Sequence, residues 1–210
     1  YTTVVSYFDS SIPFYVNPVT PMAWDIAAMR YLYGLNPFSV RPEDNDYLLS
    51  LEENPKSISA IDSDGTDRIS VAAGSSWPYY INLNEGTWSG ANEFGSGNVI
   101  AALIYVPVDS RIEQAVGGQR DDSLTGNALD NLLVGGLGDD TLEGGSGLDT
   151  AVFSGVKSSY TITRGVGSVT VSGADGVDLL TGIERLSFDD GSVALTTVAA
   201  DFDGDGKGDL

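Results

Sequence analysis

The chain has 210 residues, with 30 acidic side chains against 10 basic ones and a net charge of −20. That balance disfavours nucleic acid and anionic membrane surfaces as partners and favours bound divalent cations. With no cysteine and no histidine, disulfides, a Ser-His-Asp triad and a histidine-ligated zinc site are excluded within these residues, and no apolar run is long enough to span a membrane.

Met22, Ile26, Met29 and Tyr33 recur at helical spacing between Thr20-Pro21 and Gly34, so a helix is predicted there, with Thr20 as N-cap and Gly34 as its stop. Pro37, Pro42 and Pro55 break up residues 36–60, which read as a linker with short strands. Asp62, Asp64 and Asp67 then gather around Gly65, either as a cation-binding loop or as a plain acidic turn. The strand-like YYINLNEGTWS places Trp77, Tyr79, Tyr80 and Trp88 close together, for core packing or for a carbohydrate surface. GNVIAALIYVPVDSRIEQAV leads on to residue 116.

Residues 117–152 are four nonapeptides end to end: GGQRDDSLT, GNALDNLLV, GGLGDDTLE and GGSGLDTAV. Each reads as a six-residue turn followed by a three-residue strand. Glycine lets the turn reach positive φ and brings carbonyls close together, and the Asp at position six supplies a hard anionic oxygen. After them YTIT, SVTVS, DLL, IERLSF and SVAL read as short strands separated by GVG, GADG and DDG turns, an antiparallel meander over 153–196. Glu184 and Arg185 read as ordinary strand surface residues. In the closing DFDGDGKGDL, Asp201, Asp203, Asp205 and Asp209 occupy positions one, three, five and nine of an EF-hand-like loop, so they are either calcium ligands or part of a free tail.

The third and fourth nonapeptides match G-G-x-G-x-D-x-U-x, with Ala151 a small choice for the apolar position, and the four in register resemble the calcium-binding repeats of RTX parallel β-rolls. The resemblance implies one ion between each turn and the turn two repeats later. A first calcium would be held by Asp122, Asp140 and the carbonyls of Gly118, Arg120, Gly135 and Leu137. A second would be held by Asn131, Asp149 and the carbonyls of Asn127, Leu129, Gly144 and Ser146. The second is expected to bind more weakly, because Asn131 leaves one positive charge uncompensated. Position eight would point inward (Leu124, Leu133, Leu142, Ala151). One sheet would then show Leu132, Val134, Thr150 and Val152 outward, a face expected to be covered by residues 153–196, with burial worth roughly 1.5–3 kcal/mol for each large side chain.

VSYF followed by PMAWDIAAMRYLYG resembles the end of a serralysin-type metzincin catalytic domain. The resemblance places Tyr7 on the tyrosine that ligates zinc or steadies the intermediate. Val5 stands where that family has its methionine. The family's H-E-x-x-H-x-x-G-x-x-H motif, which holds zinc and activates water for peptide hydrolysis, would lie upstream, so this chain alone is expected to be inactive. AIDSDGTDRISV resembles the family's D-x-G-G-x-D calcium loop, with Asp62 and Asp67 as side-chain ligands and Asp64 as a carbonyl donor. Glu113 falls on a further calcium position, although Arg111 replaces the usual threonine beside it. Residues 153–196 resemble a module that follows RTX repeats in secreted bacterial proteins, and the tail resembles the start of an FG-GAP or VCBS-type repeat.

The expectation is an all-β fold, a parallel β-roll with flanking antiparallel strands plus one N-terminal helix left from a catalytic domain. Its parts would be 1–35 (catalytic end), 36–116 (linker and strands), 117–152 (roll), 153–196 (antiparallel cap) and 197–210 (acidic tail). By resemblance it is the calcium-binding C-terminal region of a secreted, extracellular serralysin-like zinc metalloprotease. It would partner the missing N-terminal catalytic half and the type I secretion machinery, with calcium as its cofactor and zinc confined to the catalytic half. The alternative is a non-enzymatic RTX surface or adhesion protein.

Overall fold

A glycine-rich turn before every three-residue strand reverses the chain at each repeat, so successive strands alternate between two sheets. The computed structural model describes residues 43–51, 58–60, 62, 64–92 and 99–195. Ahead of the repeats come β1 (Asp46–Leu49), β2 (Ile58–Ser59), β3 (Arg68–Val71), β4 (Tyr79–Asn82), β5 (Thr87–Asn92), β6 (Val99–Val106) and β7 (Gln114–Val116). The repeats supply β8 (Ser123–Thr125), β9 (Leu132–Val134), β10 (Thr141–Glu143) and β11 (Thr150–Val152). Then follow β12 (Thr161–Arg164), β13 (Val169–Ser172), β14 (Val177–Thr181), β15 (Arg185–Phe188) and β16 (Gly191–Ala194).

The first sheet has the order β1-β3-β7-β9-β11-β15-β16, parallel throughout until β16 turns back antiparallel. The second is β12-β13-β14-β10-β8-β4-β5-β6-β2. Its centre, β14, β10, β8 and β4, is parallel, while β12–β13 and β5–β6 add antiparallel strands on opposite sides. The fold is therefore all-β, a parallel roll flanked by antiparallel strands. The predicted helix near residues 20–34 lies outside the described residues.

The roll is longer than its four overt repeats. Register carries the inward position through Ile69, Ala115, Leu133, Ala151 and Leu186 on one sheet, and through Ile81, Leu124, Leu142 and Leu180 on the other. All nine are at most 1 % exposed. Small and large side chains alternate between Ala115, Leu133, Ala151 and Leu186, which explains the small residue at position eight of the fourth repeat. Residues 36–60, expected as a linker, supply a full strand of the roll, because Tyr47 and Leu49 alternate inward in DYLL.

Among the described residues no strand of 153–195 crosses the outer face as the expected cover would. All five strands of 153–196 lie within the planes of the two sheets, and two of them, β14 and β15, continue the parallel ladders rather than forming a meander across the outer face. Leu132 and Val134 are nonetheless half-buried, in register with Gln114 and Val116 on one side and with Thr150 beside Leu132 on the other. Tyr79 is fully buried, which removes it from any carbohydrate surface.

Leu133 is fully buried and in register with Ala115 and Ala151, so its removal leaves a space that the flanking alanines cannot fill. Leu133→Ala is expected to cost about 2–5 kcal/mol, read as a lower denaturant midpoint at unchanged slope.

Candidate metal centres in the stacked turns

Strand register assigns every turn the same nine positions, and position six of each turn then forms a ladder. On one side of the roll these residues are Asn45, Asp67, Glu113, Asn131, Asp149 and Glu184; on the other they are Tyr79, Asp122, Asp140 and Asp178. The carboxylate of one turn reaches back to the backbone of the turn before it. Asn45 N–H donates to Asp67 Oδ1 (2.8 Å), Asp67 N–H to Glu113 Oε2 (3.0 Å) and Asp149 N–H to Glu184 Oε2 (2.8 Å). On the opposite side Tyr79, Asp122 and Asp140 N–H donate to Asp122, Asp140 and Asp178 Oδ1 at 2.6, 2.8 and 2.9 Å.

A second ladder at position five runs the other way. Asp44, Asp121 and Asp139 Oδ1 accept from Thr66, Asp139 and Val177 N–H at 2.9, 3.0 and 2.9 Å, and Asp130 Oδ1 accepts from Leu148 N–H at 2.9 Å. Adjacent acids thus clip each turn to both of its neighbours.

The turns stack so closely that only glycine fits at several places. A Cβ on Gly136 (φ 108°) would lie 2.1 Å from the Gly118 carbonyl oxygen, and one on Gly138 (φ 123°) would lie 2.7 Å from that of Arg120. Carbonyls assigned to the first ion therefore face the turn that holds Asp140. Gly118 O also accepts from Leu137 N–H (2.9 Å), and Gly135 O is packed against Gly117. For the second set, Asn131 N–H donates to Asp149 Oδ1 (2.8 Å), Asn127 O accepts from Ser146 N–H (3.2 Å), and the Leu129 and Gly144 carbonyls abut Gly147 and Gly126. In each assigned group the two turns are stacked directly on one another.

Upstream, Asp62, Asp67 and Glu113 converge and Asp64 does not. Asp62 Oδ2 accepts from Tyr47 Oη and Asn45 Nδ2, both at 3.0 Å, and its carbonyl accepts from Arg111 N–H (2.7 Å). Asp64 is exposed. Tyr7, Asp201, Asp203, Asp205 and Asp209 lie outside the described residues.

Four buried carboxylates each keep one oxygen without a hydrogen-bond partner: Asp67 Oδ2, Asp140 Oδ2, Asp149 Oδ2 and Asp175 Oδ1. Their side chains are 0–9 % exposed, a costly placement for an anion unless a cation or proton joins it. Burial raises Asp140 to about 8, with further pressure from Asp178, Asp122 and Asp121. Burial likewise lifts Asp67, Asp122, Asp149 and Asp178 to about 6. Among the described residues no three His, Cys, Asp or Glu side chains form a cluster fit for a metal. A cation here would therefore need one or two carboxylates completed by backbone carbonyls, the oxygen-only set that suits calcium.

Several ladder residues stand outside the four overt repeats, Asp178 and Glu184 after them. Asp175 and Asp178 belong to GADGVDLLT, residues 173–181, a fifth nonapeptide with alanine at position two. Residues 153–172 separate it from the fourth. Gly138 N–H donates to the Asp175 carbonyl (2.7 Å), and Tyr160 Oη donates to Asp175 Oδ2 (2.6 Å) from an aromatic cluster with Phe153 and Phe188. Glu184, expected on the strand surface, is half-buried beneath Asp149; only strand register reveals its place, since its longer side chain replaces the usual aspartate.

These raised values set the pH dependence of the metal-free protein. Asp140 binds its proton more tightly folded than unfolded, so its contribution is complete below its ordinary 3.8 and is lost as pH rises through about 8. In chelator the thermal midpoint is expected to fall between pH 5 and pH 8, and Asp140→Asn to shallow that fall; a midpoint that rises over this range would contradict it.

The family model described as Peptidase M10 serralysin C terminal matches residues 25–206. No curated protein matches the chain.

Proposed function

Because the chain belongs to the serralysin C-terminal family of M10 peptidases, we propose that its stacked turns bind calcium and that this binding drives the chain to fold outside the cell. The observation that carries this is the set of unpartnered, buried oxygens on Asp67, Asp140 and Asp149. Each belongs to a group of residues that the sequence pairs around an ion. Asp122, Asp140 and the carbonyls of Gly118, Arg120, Gly135 and Leu137 would hold one calcium. Asn131, Asp149 and the carbonyls of Asn127, Leu129, Gly144 and Ser146 would hold a weaker one, and Asp62 and Asp67, completed by backbone carbonyls, a third, with Glu113 on a further calcium position. The orphaned Asp175 oxygen and the fifth turn extend the same chemistry to Asp175 and Asp178.

Calcium supplies positive charge to these oxygens, and the chain supplies their spacing. Where calcium is scarce the buried acids repel one another or must take up protons. Where it is abundant, ions that bind the folded state alone shift the equilibrium towards it by RT ln(1 + [L]/Kd), about 2.7 kcal/mol per site at a hundredfold excess over Kd. That behaviour suits a chain exported through a type I system and attached to an upstream zinc-bearing catalytic half, with which it would share an extracellular location. Among the described residues no helix is long and apolar enough to cross a membrane. The same roll on a non-enzymatic surface or adhesion protein would bind calcium identically. An intact zinc motif before residue 1 distinguishes the protease.

Circular dichroism and thermal unfolding at pH 7.5 or thereabouts, in calcium and in chelator, test the proposal. The expected result is a higher midpoint in calcium, reduced by Asp140→Asn and by Asp149→Asn but not reproduced by magnesium, which dehydrates reluctantly and prefers regular octahedral sites. Identical spectra and midpoints with and without calcium would refute it.

A further inference from the structure

The position-six ladder has one break, and it falls at the only overt repeat carrying an amide at both positions two and six. Those positions are Gly118 and Asp122, Gly136 and Asp140, Gly145 and Asp149 in the other repeats, but Asn127 and Asn131 in the second. Asn131 does not accept from the turn before it. Its Nδ2 instead donates to the Glu113 carbonyl and to Asn127 Oδ1, both at 3.2 Å. Asn127 Nδ2 donates to the carbonyls of Ile112 (2.9 Å) and Leu83 (3.1 Å), and Asn84 Nδ2 donates to that of Gly126 (2.7 Å). The amide oxygens are used as well: Asn131 Oδ1 accepts from Asn127 N–H (2.7 Å) and Asn127 Oδ1 from Leu129 N–H (2.9 Å).

Carbonyls from three separate segments, 83, 112–113 and 126, are therefore gathered by neutral N–H donors. In Asp140 and Asp149, by contrast, Oδ1 accepts from the turn before and Oδ2 has no partner. From this contrast we infer that Asn127 and Asn131 act as a built-in substitute for a cation and close the turn 126–131 without metal. An amide group offers two donors and one acceptor, whereas a carboxylate of the same shape offers acceptors alone. A carboxylate at position 131 would face the Glu113 carbonyl and Asn127 Oδ1 with like partial charge. The second repeat is then already ordered in the metal-free chain. It joins the β4–β5 turn and the loop before β7 to the roll, and it gives the later turns a template on which to close when ions arrive. The lock is a property of the metal-free protein; only the later step rests on the calcium reading above.

Hydrogen exchange of the full chain in chelator tests it. The N–H of Asn127, held by Asn131 Oδ1, is expected to exchange about tenfold or more slowly than those of Gly136 and Gly145 at the same position of the third and fourth repeats, a difference on the scale of a hydrogen bond or two. Asn131→Asp is isosteric and is expected to lower the thermal midpoint in chelator, with the loss recovered in calcium. Gln119→Glu, which adds the same charge at an exposed position of the neighbouring turn, is expected to leave the midpoint unchanged. Equally fast exchange at both sets of turns in chelator overturns the lock, as does an Asn131→Asp midpoint in chelator equal to that of the unmodified chain. If calcium fails to slow exchange at Gly136 and Gly145, the calcium reading falls, and the chelator comparison still decides the lock.

Discussion

The structure depends on the return of one carboxylate oxygen, at the end of each turn, to the backbone N–H of the turn before it. Asp140 does this to Asp122, Asp178 to Asp140, and Glu184 to Asp149. For the bond to form, the acid must be buried and the turns must approach until carbonyls lie where a Cβ would be. Glycine, aspartate and the excess negative charge are thus parts of one arrangement. The second oxygen of several acids is then left inside the fold with nothing to accept, and the raised pKa of Asp140 follows from that packing.

The hydrophobic interior is thin by comparison. Each nonapeptide contributes one inward side chain, and the stacks from Ile69 to Leu186 and from Ile81 to Leu180 supply most of the core between the parallel strands. The core widens only where the repeat is interrupted. The β5–β6 pair brings in Leu103, Ile104 and Val106, and the insertion before β14 brings Tyr160 against Phe153 and Phe188. Polar ladders therefore set the spacing of the turns, while the insertions add much of the apolar mass.

Much of this was legible in the amino-acid order because the nonapeptide ties backbone and ligand chemistry to fixed positions. Leu124, Leu133, Leu142 and Ala151 are inward as the spacing predicts, and the family to which the chain belongs is readable from its motifs. The fifth turn was hidden by Ala174 and by the intervening residues 153–172. Glu113 and Glu184 take aspartate positions with one more methylene, which no periodic pattern marks. Tyr79 takes such a position with an aromatic ring, its hydroxyl satisfied by Ser75 Oγ at 3.0 Å. Strand register exposes each of these because it counts from the neighbouring chain rather than along the sequence. The outward face of Leu132 and Val134 misled for the opposite reason: a segment that follows a sheet can extend its plane as readily as cross its face.

The antiparallel strands also bound the parallel ladders among the described residues. A parallel roll of identical turns has no intrinsic length, and its bare ends invite a second copy to continue the stack. Here β16 closes one end of the first sheet, while β12–β13 and β5–β6–β2 flank the second. Their reversed or short strands offer an incoming nonapeptide neither the polarity nor the position-six partner it needs. Among the described residues, β1 is the only roll strand at a sheet edge. The same interruptions that obscure the repeat in the sequence thereby end the roll's parallel ladders at every described sheet edge except β1.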